Sequence, residues 1–407
     1  MLLRMKGVAV VVVLGLTSLA SAAGEPSRKT FVQQASDAIK TLNKRFYNIK
    51  TGVYDDAWWN SANAITTMAD FADVDLQEAN RINVGGYLRN TFIQAQKTDV
   101  KTVKAMKNGR VMSTYCLDHW GGGCMSKREF SQYPKHLLRP RGFDDFINEF
   151  YDDEGWWALA WIRAYDVSGD KEYLDAAVAL FEDMKTGAGT PCGGGIFWNK
   201  DRKYVNAIAN ELFFSVAASL ANRLPKQAEY LSQALAQWTW FENSGMINPR
   251  GLVNDGLDGS CKNNGLPTWS YNQGVVMGGL VELWRATGER RFLDRAVAFA
   301  DAALAALQTG AGVLREVDDC ETKPGNCGKD GQQFKGIFVR NLRLLVKALD
   351  KPPSKYRDFI LRNARSIWEK DRVESKLGPA WSGPYIEATG PSQSSALDAL
   401  VAAISVS

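Results

Sequence analysis

The chain is expected to fold as an all-α protein, an (α/α)6 barrel in which six inner helices form a toroid inside six outer ones. One observation is a repeat: Ser168-Gly169-Asp170 with the following Tyr173-Leu174-Asp175-Ala176 returns 119 residues on as Thr287-Gly288-Glu289 with Phe292-Leu293-Asp294-Arg295. A fainter copy around Tyr230 to Ala236 sets the unit at about 60 residues, the span of a helix pair with its loops. Another observation is alternation of character. Segments such as Tyr173 to Met184 carry apolar residues at helical spacing and leave a charged face, as outer helices do. Segments such as Asn206 to Leu220 and Asn272 to Ala286 are apolar on most sides and must be buried on more than one side. Strand-like alternation is absent over any useful length.

Taken in order, the chain opens with Arg4 and Lys6, the apolar run Val8 to Leu16, and Ala20-Ser21-Ala22. This pattern reads as a secretory signal peptide over residues 1–22, too short for a membrane span. Residues 23–407 are then expected to form one catalytic domain, since no Pro/Gly/Ser-rich linker divides them. The outer and inner pairs fall at 31–48 with 57–72, 75–96 with 144–166, 171–185 with 203–222, 226–243 with 271–287, 289–308 with 334–349, and 354–371 with 392–404. Residues 97–142 interrupt the scheme and are expected to form an insertion, a flap at the rim. The C-terminal run from Ser394 is interrupted by Asp398 and fits a sixth inner helix better than a lipid-anchor signal.

A net charge of +4, dispersed along the chain, argues against a nucleic-acid partner. Six cysteines in a secreted chain suggest disulfides, with Cys116–Cys124, Cys192–Cys261 and Cys320–Cys327 as the expected pairing. Only two histidines occur, His119 and His136, both in the insertion. A Ser-His-Asp arrangement or a His-ligated metal is therefore hard to build on the inner helices, and neither metal nor cofactor is expected.

Carboxylates, indoles and amides are plentiful, which is the equipment for cleaving a glycosidic bond. The segment Tyr151-Asp152-Asp153-Glu154-Gly155-Trp156-Trp157 stands out, with two adjacent acids at a helix start followed by paired indoles. Acids also gather at helix starts simply to oppose the macrodipole. As a functional pair, neighbouring residues reach the roughly 5–5.5 Å carboxyl separation of a retaining glycosidase more readily than the wider inverting one. Tyr54-Asp55-Asp56-Ala57-Trp58-Trp59 is a shorter copy, whose Asp55 and Asp56 are expected at the same rim, bonding sugar hydroxyls. Further candidates for binding are Trp156, Trp157, the Asn206/Asn210 pair, and Asp255, Trp269, Tyr271 and Gln273 in and after the loop preceding the fourth inner helix.

Several of these motifs, in order, resemble glycoside hydrolase family 76: Tyr151 to Trp157, the Asn206/Asn210 helix, Ser244-Gly245-Met246-Ile247-Asn248, Gly251 to Leu257, and Thr268-Trp269-Ser270-Tyr271-Asn272-Gln273-Gly274. The resemblance extends from Tyr54 to Leu400. It implies an (α/α)6 barrel and retaining, endo-acting cleavage of α-1,6-linked mannan, with Asp152 as nucleophile and Asp153 as acid/base. With the signal peptide, a secreted, extracellular or cell-wall location is expected, with mannan or mannooligosaccharides as partner and a monomer without an integral membrane span. A cell-wall transglycosidase acting on GPI-anchor or mannan glycans is the alternative, and a non-catalytic mannan-binding protein is a third.

Overall fold

The computed structural model describes residues 26–107, 110–118 and 145–407. The expected signal peptide and Cys124 lie outside these residues, as does the side chain of Cys116. The inner helices are α2 (Trp58–Val74), α5 (Tyr151–Ser168), α7 (Ala207–Ala221), α9 (Ser270–Thr287), α11 (Gly328–Ala348) and α13 (Gly390–Val406). Each packs against the next, and α13 returns to α2, so the ring closes. Around them run α1 (Arg28–Phe46), the short α3 (Leu76–Arg81) and α4 (Val84–Ala95), then α6 (Lys171–Met184), α8 (Gln227–Asn243), α10 (Arg290–Ala306) and α12 (Ser354–Lys370). The second outer helix, expected as one piece, is split because Asn83 takes a left-handed conformation, φ 61°.

The repeat seen in the sequence has a geometric cause. Gly169 and Gly288 end α5 and α9 with φ 73°, the left-handed turn by which the chain leaves an inner helix for an outer one. Asp170 then caps α6, its carboxylate accepting the backbone N–H of Glu172. Inner helices approach closely where side chains are absent. A Cβ on Gly336 of α11 would lie 2.5 Å from the Ser395 backbone of α13, and one on Gly274 of α9 would lie 2.7 Å from Phe338 Cα. Every residue of α7 is buried, as a helix walled on several sides requires.

An outer helix runs back between successive inner ones, so all six inner helices point the same way. Their C-terminal ends meet in a charged network. Asp70 of α2 takes Nε and Nη2 of Arg163 at 2.9 and 2.6 Å and lies 2.7 Å from Arg343 Nη2, while Asp398 of α13 faces Arg340. Their N-terminal ends gather at the opposite mouth.

One expectation about strands is corrected. Two strands, β3 (Asp99–Lys107) and β4 (Arg110–Asp118), pair as an antiparallel hairpin, preceded by the two-residue strands β1 (Tyr47–Asn48) and β2 (Val53–Tyr54). Lys104 stands directly opposite Ser113, so both present the same face. The segment had no legible alternation because its inward positions are polar, Thr102 and Lys104 opposite Tyr115 and Ser113. Disulfides join Cys192 to Cys261 and Cys320 to Cys327, as expected.

Candidate active site

Helix α5 enters from an extended Phe150, which puts Asp152 and Asp153 in its first turn, where the free N–H groups favour anions. Asp152 is 8% exposed and Asp153 fully buried. The ammonium of Lys104, reaching down from the hairpin, donates to Asp152 Oδ1 and Oδ2 at 3.0 and 2.9 Å and to Asp153 Oδ1 at 2.7 Å. One nitrogen bonded to both holds the two nearest oxygens no more than about 5.6 Å apart, the sum of its two shorter contacts. Asn148 donates to the other Asp153 oxygen at 2.6 Å.

Burial pushes Asp153 up to about 7, with Lys104 opposing the shift and the charge of Asp152 adding to it. Asp153 therefore keeps its proton toward neutral pH, beside an Asp152 that reaches the cleft. Asp255 lies near enough for the charge of Asp152 to act on it. Burial first and Asp152 last raise it to about 6, against hydrogen bonds from Tyr204, at 2.5 Å, and Trp269.

A narrow cleft opens beside the pair, lined by Asp152. Its walls are aromatic: Trp59 stacks on Trp156 at 5.5 Å, and Tyr271 on Phe334 at 4.0 Å and Trp156 at 6.4 Å. Asp152, Asn206, Asp330, Ser113 and Lys104 supply polar atoms, and Trp198 completes the lining with Ile208 and Val111. Flat rings beside carboxylates and amides suit a sugar, which offers an apolar face and a rim of hydroxyls. Trp156 also lines a second space, beside Asp70, Arg163 and Arg340.

Of the candidate residues, the structure brings Asp152, Trp156, Asn206 and Tyr271 to this cleft, with Asp153, Asp255 and Trp269 buried against it. Others have different employment. Trp157 is fully buried on the far side of α5, packed on Trp58, Phe146 and Trp161. Asn210 exchanges hydrogen bonds with the backbone of Ile196 and accepts one from Gln237, which fixes the preceding loop. Gln273 performs the same service for Val253, bonding its N–H and its carbonyl at 2.9 Å each. Asp55 and Asp56 sit in a left-handed turn ahead of α2, φ 53° and 47°, beside a separate depression lined by Arg45 and Lys50. Asp55 accepts the N–H of Gly390 at 3.0 Å and so caps α13.

Sequence reasoning missed Lys104, Trp59, Trp198, Asp330, Phe334 and Asn148. Trp59 had a signal in the Trp58-Trp59 copy of the main motif. Lys104 had none, being one of many basic residues in the insertion.

With burial holding the Asp153 proton, cleavage that needs this group as an acid is expected to fall on an alkaline limb near pH 7. Profiles of kcat/KM against pH check this, since they report groups of the free protein. A limb that stays in place in Asp153→Asn would remove Asp153 from that role.

Solved structures share this architecture. The α-1,6-mannanase GH76A of Salegentibacter sp. HEL1_6 superposes with a TM-score of 0.70 at 22% identity, covering 93% of this chain and 99% of that one. That chain is an inactive variant with two adjacent aspartates replaced, in complex with an α-1,6-mannotetraose. Dfg5 from Chaetomium thermophilum, in complex with glucosamine, gives 0.70 at 17% identity over 94% and 92% of the two chains. At these identities the likeness defines the fold class, a helical barrel of the mannanase type.

Residues 141–405 match the family model for glycosyl hydrolase family 76, and the chain belongs to that family. Among curated relatives, the mannan endo-1,6-alpha-mannosidase DFG5 of Candida albicans is 26% identical over 234 residues, 54% of this chain and 51% of its own length. The mannan endo-1,6-alpha-mannosidase DCW1 of Candida glabrata is 30% identical over 213 residues, 47% of this chain and 45% of its own. The chain thus spans about half the length of the curated relatives it matches.

Proposed function

We propose that the protein is a secreted, retaining glycoside hydrolase that cleaves α-1,6-mannosidic bonds within mannan, Asp152 serving as nucleophile and Asp153 as acid/base. The observation that carries this reading is the carboxyl pair at the mouth of α5. Its nearest oxygens lie no more than about 5.6 Å apart, short of the roughly 6.5–9.5 Å that leaves room for an intervening water and compatible with the roughly 5–5.5 Å of direct attack. The separate environments of the two acids support the division of roles: Asp152 reaches the cleft, and burial raises Asp153 toward neutral pH, as a general acid requires. Trp59, Trp156 and Tyr271 give the cleft an apolar aromatic wall, and Asn206 a polar partner for hydroxyls. The mannan-active names of the relatives and structural neighbours agree with this substrate.

Incubation with unbranched α-1,6-mannan, followed by anomer-resolved NMR, tests the reading. Short oligosaccharides appearing first as the α-anomer are expected; first-formed β-anomer would assign an inverting mechanism, and absence of cleavage would remove the activity. Transfer to an added acceptor without hydrolysis would assign the transglycosidase instead.

A further inference from the structure

Hairpin β3–β4 delivers a cation into the space where the chemistry is proposed to occur. Lys104 Nζ makes three contacts of 2.7 to 3.0 Å across the Asp152/Asp153 gap, which leaves no volume there for another atom. Whether a carboxylate or a water attacks, the sugar's anomeric carbon and its bridging oxygen must lie between the paired carboxyls. Positive charge also develops on that carbon, so the gap is shaped for a cation, and the chain's own ammonium fills it.

The side chain is seated rather than loosely inserted. It is 1% exposed, with Nζ 4.4 Å from the centre of the Phe150 ring and 5.5 Å from that of Trp198. The hairpin is also tied to a second wall of the same cleft. Ser113, opposite Lys104, donates its N–H to Asp330 at 2.6 Å, and the Arg110 guanidinium contacts Asp318 and the Asn326 carbonyl. Those anchors belong to α11 and the loop before it, a different wall of the mouth from α5.

We propose that Lys104 is a displaceable occupant of the catalytic gap, which the hairpin must withdraw before a mannan chain is seated, so that this residue sets the protein's affinity for substrate. The inference rests on Asp152 and Asp153 being the reacting pair. Substrate binds only the withdrawn state, and its apparent affinity is reduced by the fraction of molecules in that state. Withdrawal also removes the cation that opposes protonation of Asp153, so clearing the gap and arming the acid are one event.

Steady-state kinetics on linear α-1,6-mannotetraose decide the matter. Lys104→Ala is expected to lower KM by about tenfold, because the closed state is lost. Arg110→Ala, which loosens the hairpin without touching the gap, should move KM the same way by a smaller factor and keeps the test alive if Lys104→Ala fails to fold. A hundredfold drop in kcat at unchanged KM in Lys104→Ala would make the lysine part of the machinery and overturn the proposal, as would KM unmoved in both variants. Cleavage by Lys104→Ala where the wild type is silent supports it. No cleavage by wild type or variant overturns the functional reading, whereas cleavage with KM unmoved overturns only the role of Lys104.

Discussion

Asp152→Asn is expected to reduce cleavage of α-1,6-mannan by at least about 10³-fold, with Asp153→Asn falling by a comparable factor, on the ~10²–10⁴ that a positioned acid or base contributes and the further loss of a covalent route. A thousandfold corresponds to about 4 kcal/mol of transition-state stabilisation. Both variants should fold, because each leaves one carboxylate to pair with Lys104 and the amide keeps the shape of the carboxyl it replaces. The two are separable by leaving group. An aryl α-1,6-mannobioside with an acidic phenol needs no protonation to depart, so Asp153→Asn should retain cleavage of it and Asp152→Asn should not. The reverse pattern would exchange the roles, and full activity in either variant on mannan would remove that residue from the site. Circular dichroism and thermal melting of both variants establish that the barrel persists.

Asp70→Ala is expected to destabilise the barrel by about 3–5 kcal/mol, the range for removing one partner from a buried ion pair. Asp70 is 2% exposed, and the Arg343 side chain beside it is 1% exposed, so the substitution leaves a buried guanidinium without its counter-charge. The network also joins α2 to α5 and α11, so the loss falls on ring closure rather than on one helix. The acid dependence has a defined sign. Despite desolvation, Arg343, Arg163 and Arg340 hold Asp70 down at about 2, below its usual 3.8. Its stabilisation is therefore complete above about pH 4 and is lost as pH falls toward 2. Chemical denaturation of wild type and Asp70→Ala at pH 7 and at pH 2.5 measures both quantities. A gap between the two proteins that fails to narrow at the lower pH would show that Asp70 acts there through packing alone.

Much of the barrel was legible because its signals are local. Helical periodicity, the contrast between amphipathic and all-round apolar segments, and glycine turns after α5 and α9 each lie within a few residues. The Asp152/Asp153 pair was legible for the same reason, since acids immediately followed by a helical run enter its first turn. The Asp55/Asp56 copy misled because one residue fewer separates it from the indoles. Helix α2 begins at Trp58, so these acids fall before the helix in a left-handed turn, and Asp55 serves another helix as a cap. Trp157, Asn210 and Gln273 misled differently: their helices were correctly located, but the face each residue presents depends on how its helix is rotated in the ring.

The sequence by itself determined the helical class, the pairing of inner with outer helices, the short Cys320–Cys327 loop and the carboxyl pair, all of which follow from periodicity, composition and short-range order. Tertiary structure alone decided that α13 closes on α2, that Trp59, Tyr271 and Phe334 from three helices share one wall, and that Lys104 bridges the acids. These facts join residues tens to hundreds of positions apart. They depend on the orientation of whole elements, which no local pattern of residues encodes.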